Sequence, residues 1–321
     1  MKKIVIALGV AILGLTSCKQ FKQGEGDMMY KMHTNKGGNL IQIGDFVVCK
    51  LVEKTENDSL LFSSYLYDRP ALLVREKSLF KGDLYAALGL LSEGDSASFK
   101  INADSMAAKM GRPKPKDLKG KYLVYTLKID KVIPKGKLTD SLFQDKIGAF
   151  VKEETDKAKN AEEAKLKRYI AANNLKTTLS PSGLHYVVIK EGSGEKALPG
   201  DSVSVHYTGK LLTGKVFDTS VMEIAKKEET FNPMRPYEPL KIAVGSNSTI
   251  PGFEEGLMLF PKGTQAILIL PSKLAYGEYG NQSIQPYTPL VFDIEIVNIS
   301  HPKTTPLADM QKVEEKKGIK K

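Results

Sequence analysis

Two stretches of alternating character, LVYTLKIDKV at 123–132 and LVFDIEIVNI at 290–299, do most to limit what this chain can fold into. In the second, Leu290, Phe292, Ile294 and Ile296 fall on one side and Asp293 and Glu295 on the other, the period of a strand with one buried face. Such a strand needs a sheet around it and an apolar cover. The sequence upstream of each run is related too. QIGDFVVCKL (42–51) parallels LPGDSVSVHY (198–207), LFSS (61–64) parallels VFDTS (216–220), and GDLYAALGLLSEGD (82–95) follows GFEEGLMLFPKGT (252–264). An internal repeat of this kind predicts two domains of class α+β, each an antiparallel sheet wrapped around a short helix. At 321 residues the chain can bury two cores, and with 41% hydrophobic and 26% charged residues most of it is expected to be ordered.

The expected boundaries are 39–135 for the first domain, 136–180 for a helical linker and 181–301 for the second domain. Within the linker, Leu142, Phe143, Ile147, Phe150, Val151, Leu166, Tyr169 and Ile170 recur near helical spacing. Ser141 with Gln144 offers a capping box, and Asn173 and Asn174 followed by Pro181 offer a stop. A continuous helix would extend about 50 Å at 1.5 Å per residue. Its middle, EETDKAKNAEEAK, is weakly apolar, which favours a spacer over a dimerisation helix while leaving a homodimer open.

The first 18 residues have the form of an export signal: Lys2 and Lys3, an apolar run from Ile4 to Leu15, then small residues ending at Cys18. That run is shorter than the roughly 20 residues a membrane-spanning helix requires. LTSC (15–18) resembles the bacterial lipobox, which makes Cys18 the expected lipidation site and a lipid the expected membrane anchor. Residues 19–38 read as a polar tether and 302–321 as a Lys-rich tail. Cys49 is then the one unlipidated thiol, expected as a small buried hydrophobe, and four scattered histidines predict no metal site. The net charge is +10, yet lysines alternate with glutamates and no basic strip is interleaved with aromatics, so nucleic acid is not an expected partner.

Chemistry concentrates in four ordered phrases, VHYTG (205–209), VFDTS (216–220), IPGFEEGL (250–257) and LAYG (274–277), followed by LVFDIEIVNI. In this order and spacing they resemble the active domain of FKBP-type peptidyl-prolyl isomerases. The resemblance implies that both domains are FKBP-like and that the second rotates X-Pro bonds without covalent chemistry, metal or cofactor. It also implies roles. Tyr207, Phe217, Ile250, Phe253 and Phe292 would line an apolar pocket; the Ile250 N–H and the Tyr276 hydroxyl would donate to the substrate carbonyl; Asp218 would place a carboxylate at the edge. Leu240, Thr249 and Ile284 would complete the substrate contacts, with Tyr287 on the overhanging loop. In the first copy the pocket residues are lost: Leu51 stands opposite Tyr207 in the comparison, Ser63 opposite Asp218, Lys81 opposite Ile250 and Ala107 opposite Tyr276.

There are departures from the family pattern. No tryptophan exists in the chain, so Phe253 occupies the usual place of the floor indole; Leu240 replaces a common aromatic, and Asn281 lies near a frequent histidine. These changes bear on substrate preference and leave macrolide binding open. An insertion, MEIAKKEETFNPMRPYE, separates VFDTS from PLKIAVG and reads as an exposed loop, either inert or touching a client near the pocket mouth. The expected function is isomerisation of X-Pro bonds in unfolded exported proteins, at the envelope of a bacterium and facing the periplasm. The alternative is an envelope chaperone or scaffold that binds unfolded clients with little isomerase activity.

Overall fold

The computed structural model describes residues 20–115 and 118–301, so the segment expected as an export signal, with Cys18, and the expected Lys-rich tail lie outside the described residues. The chain divides into two units between Ala149 and Phe150. In the first, the alternating segments form β1 (Lys22–Gln23), β2 (Met29–Thr34), β3 (Phe46–Thr55), β4 (Leu60–Ser63), β5 (Ala71–Val74), β6 (Ser96–Asn102) and β7 (Tyr122–Ile133), with short helices α1 (Leu84–Leu88) and α2 (Ala103–Met110). They make one seven-stranded antiparallel sheet in the order β1-β2-β6-β7-β3-β4, with β5 also on β3. Its buried face carries Val47, Cys49, Phe99, Ile101, Leu123 and Leu127 against Ala87 and Leu88 of α1.

After α3 (Asp140–Ala172) come β8 (Thr178–Leu179), β9 (His185–Lys190), β10 (Ser202–Leu211), β11 (Val216–Thr219), α4 (Met222–Lys227), β12 (Leu240–Ala243), α5 (Pro251–Leu259), β13 (Gln265–Leu270) and β14 (Leu290–Ser300). The second sheet runs β8-β9-β13-β14-β10-β11 with β12 on β10, strand for strand the order of the first. Both units are α+β and built on one topology. The sequence repeat is a repeat of fold.

Two expectations change. Residues 19–38 do not serve simply as a tether, because β1 and β2 pair with each other and β2 pairs with β6, placing Met28 in the first core. The first strand of this hairpin is exposed and its second mostly half-buried, so its alternation is faint in sequence. The helix cap also shifts. Thr139, not Ser141, closes the N-terminus of α3, its Oγ1 accepting from Leu142 N at 3.4 Å and its carbonyl from Phe143 N at 3.0 Å. At the other end Asn174 adopts φ 52°, the left-handed conformation that stops a helix.

The second half of α3 is more than a spacer, since Leu166, Tyr169 and Ile170 pack on Ile269 of β13 and Val291 of β14. Cys49 is fully buried, and burial pushes its thiol up to about 12, consistent with an inert packing residue.

Candidate functional site

The pocket starts from register. On β10, Gly209 lies opposite Phe292 of β14 on one side and Asp218 of β11 on the other, and Tyr207 shares its face two residues earlier. A Cβ at position 209 would stand 2.6 Å from Phe217 Cζ and 3.0 Å from Phe292 Cε1, so only glycine lets the two rings close in over the strand. They meet edge to face with centroids 5.8 Å apart.

Helix α5 supplies the next wall. Pro251 sits just inside its start, where a missing N–H costs nothing, and Gly256 brings the helix down onto β13, since a Cβ there would fall 2.3 Å from Leu268 Cδ1. Phe253 thereby reaches Phe292 at 4.9 Å and Tyr207 at 5.8 Å between centroids. Tyr207, Phe217, Phe253 and Phe292 thus form one aromatic basin. Phe253 makes this floor as a ring without an N–H.

Polar groups stand at the rim. The Tyr207 hydroxyl donates to Asp218 Oδ2 at 2.5 Å, the Arg235 guanidinium donates to Asp218 Oδ1, and its second nitrogen donates to the Tyr207 oxygen at 3.0 Å. Burial, and then the Asp218 carboxylate beside it, push the Tyr207 hydroxyl up to about 12, so it stays protonated throughout the physiological range. Arg235 is held further above its ordinary value by its hydrogen bond to Asp218. Burial and the charge of Asp218 also raise Tyr276, which places that hydroxyl in the field of the same carboxylate.

Arg235 was not among the residues expected from sequence. It lies in the insertion, where it reads as one half of an Arg-Pro loop. The usable signal was the need of a half-buried Asp218 for a cation, set against a single arginine returning to the sheet five residues before Leu240.

Ile250 caps α5 in extended conformation, its carbonyl accepting from Phe253 N at 3.0 Å, and among the described residues its own N–H meets no acceptor. The loop before it is tied by a second residue that sequence reading passed over. Buried Glu254 accepts from Gly245 N at 3.0 Å and Thr249 N at 3.2 Å, which locks the approach to Ile250. Tyr276 follows a short 3-10 turn, Ser272–Leu274, whose first residue donates its N–H and hydroxyl to Glu162 of α3 at 2.5 and 2.7 Å.

The remaining expected residues lie further out. Ile284 is buried within its own loop against Asn281, and Tyr287 N donates to Gly277 O at 2.9 Å, closing that loop. Leu240 is 42% exposed on β12. A separate hollow of about 550 Å³ lies on the reverse of the sheet, the side to which Asp293 and Glu295 point, lined also by Ile189, Ile224, Ile267 and Lys210. Lys210 and Asp293 form an ion pair at this hollow.

At the equivalent place in the first domain, Glu53 of β3 lies opposite Tyr125 of β7, as Gly209 lies opposite Phe292. Glu53 is buried and accepts from Arg112 at 2.6 Å and from the Tyr125 hydroxyl at 3.1 Å, while Arg112 also donates to that hydroxyl at 2.9 Å. The register also corrects one correspondence. Ser64 bonds Leu51 as Ser220 bonds Tyr207, so Phe62, not Ser63, takes the place of Asp218, opposite Glu53. LFSS is one residue shorter than VFDTS, and counting from its first apolar residue slipped the match by one.

A sheet wrapped on one short helix, with four aromatic rings packed beside Gly209 and a Tyr207-Asp218-Arg235 cluster at their edge, offers an apolar surface suited to a ligand ring. The profile of FKBP-type peptidyl-prolyl cis-trans isomerases matches residues 193–297, which contain all of that basin. The FKBP-type peptidyl-prolyl cis-trans isomerase FkpA of Aeromonas hydrophila is 39% identical over 162 residues, spanning 50% of this chain and 55% of that protein. FkpA of Escherichia coli K12 is 30% identical over 262 residues, 75% of this chain and 84% of that protein. The outer membrane protein MIP of Legionella longbeachae is 34% identical over 172 residues, 50% of this chain and 67% of that protein. This chain belongs to the FKBP-type peptidyl-prolyl cis-trans isomerase family.

Proposed function

We propose that the second domain isomerises X-Pro bonds of unfolded exported proteins and that a lipid on Cys18 holds the enzyme at the bacterial envelope. The observation that carries the catalytic part is the basin of Tyr207, Phe217, Phe253 and Phe292 with Asp218 fixed at its rim by Arg235. Rotation about an X-Pro bond must cross about 18–20 kcal/mol because the planar amide loses its resonance when twisted. Each tenfold acceleration requires about 1.4 kcal/mol off that barrier.

The aromatic walls hold the proline ring and exclude water while the preceding carbonyl turns. The Ile250 N–H and the Tyr276 hydroxyl donate to that carbonyl, and such donors act most strongly where they are already oriented and water is absent. Asp218 contributes a carboxylate whose position is set from two sides, by Tyr207 and Arg235. No bond to the enzyme forms, so all of the gain comes from binding the twisted amide better than the planar one.

The test is a protease-free proline-isomerisation assay on the chain from Lys19 onward, with Asp218→Ala and Tyr276→Phe. A folded wild-type protein working at the uncatalysed rate overturns the reading. Localisation is supported by the lipobox resemblance and by similarity to a protein named as residing in an outer membrane. Cys18→Ser should release the protein from membranes, and unchanged fractionation would remove the anchor.

A further inference from the structure

Three exposed large apolar side chains fall within ten residues of chain beside the basin: Phe231 at 40%, Met234 at 89% and Leu240 at 42%. Scattered apolar residues on a surface need no explanation. These three differ because the loop that carries the first two is tied down. Phe231 and Tyr237 stack with centroids 5.4 Å apart, Asn232 N donates to the Tyr237 oxygen at 2.8 Å, and Asn232 Oδ1 accepts from Met234 N at 2.9 Å. Arg235 N closes the turn on Asn232 O at 3.1 Å, and Pro233 and Pro236 restrict it further. Met234 stands at the tip of this framework and is hardly covered by it.

The loop is continuous with the pocket through one residue. Arg235 follows Met234, about 3.8 Å along the chain, and its guanidinium binds both Asp218 and the Tyr207 hydroxyl at the rim. A polypeptide whose proline lies in the basin and whose next residues run outward over Arg235 meets Met234 after about three residues, at about 3.3 Å each. Methionine suits a surface that must accept side chains of varied shape, because its thioether is flexible and polarizable.

We propose that the 221–239 insertion is a second contact for the unfolded client, with Met234 at its tip, selecting segments that carry a large apolar side chain about three residues from the X-Pro bond. This rests on the isomerase reading and adds to it a preference that the basin alone does not supply. A short proline tetrapeptide does not reach the tip.

The experiment compares two nine-residue peptides, each with a central Ala-Pro bond, identical except for leucine or serine three residues from the bond; the pair is made once with the substitution before the bond and once after it. For the wild-type chain kcat/KM should favour leucine over serine about fivefold on one side of the bond, the effect of half-burying one large apolar side chain. Met234→Ser should bring that ratio close to one. Because the readout is a ratio on one variant, loss of folded protein cancels from it. Equal wild-type rates on all four peptides, or a leucine preference that survives Met234→Ser, overturns the proposal while leaving the isomerase intact. A wild-type chain that accelerates none of the four overturns both readings together.

Discussion

Both domains bring an arginine, a carboxylate and a tyrosine hydroxyl into mutual hydrogen bonding, with the carboxylate on an edge strand in one and in the middle of the sheet in the other. In the second domain Arg235, Asp218 and Tyr207 stand at the rim, and Gly209 leaves the centre to aromatic rings. In the first domain the carboxylate has moved one strand inward, to Glu53 at the glycine position, where it binds Tyr125 in the place of Phe292. The same three chemical groups that orient a rim become, when shifted by one strand, a plug. A sheet of identical order therefore carries a candidate site in one copy and a self-satisfied core in the other, and the glycine position is where the carboxylate enters the sheet.

The comparison can be broken most strongly by moving the plug. Gly209→Glu would drive a side chain into Phe217 and Phe292, so isomerase kcat/KM should fall at least about a hundredfold and the second domain should lose about 3 kcal/mol or more to overpacking, read by urea unfolding. Retained activity would show that the basin is not the site. The converse change, Glu53→Ala, leaves Arg112 and the Tyr125 hydroxyl without their acceptor. A fully buried pair would cost about 3–5 kcal/mol to break. Arg112 is 41% exposed and water can reach it, so the expected loss is about 2 kcal/mol, confined to the first domain and without effect on isomerisation by the second.

Both domains should also weaken in alkali. Burial holds Tyr207 at about 12 and raises Tyr125 as well, whereas an unfolded tyrosine titrates near its ordinary value of about 10. Protons are therefore released on unfolding above pH 10: the stabilisation is fully present below that value and is lost as pH climbs toward 12. Stabilities from urea unfolding at pH 8 and pH 11 should differ by about 1.4 kcal/mol for the second domain, and Tyr207→Phe should reduce that difference. The smallest effect is expected from Arg235→Ala, which frees Asp218 from one of its two partners while leaving the aromatic basin filled. A fall of about tenfold in kcat/KM, about 1.4 kcal/mol, would sharpen the distinction between a rim arginine and a plug arginine; an unchanged rate would reduce Arg235 to a loop tie.

Much of this was legible beforehand because strands write themselves as alternation. LVYTLKIDKV and LVFDIEIVNI are β7 and β14 almost residue for residue, and both pair as the repeat predicts. The hairpin at 22–34 was not legible, since its strands are exposed or half-buried and show no clean alternation. Tyr207, Phe217, Phe253 and Phe292 were legible as a candidate set because ordered motifs carry them, and the structure packs the four rings together. Arg235 and Glu254 were missed because each acts through a partner distant along the chain or through a loop without periodicity: Asp218 lies 17 residues from Arg235, and Glu254 meets main-chain N–H groups of the preceding turn.

The sequence by itself determined that the fold is double, that its class is α+β and that only the second copy retains the aromatic and carboxylate residues of an isomerase, because burial period and residue type are local properties. Which side chain meets which was decided only by tertiary structure. Register placed Phe62 rather than Ser63 where Asp218 stands, set Glu53 against Tyr125, and drew Arg235 out of an insertion onto the pocket rim. Hydrogen bonds between residues far apart in the chain depend on how strands are aligned, and in a sheet a slip of one residue turns a side chain from one face to the other.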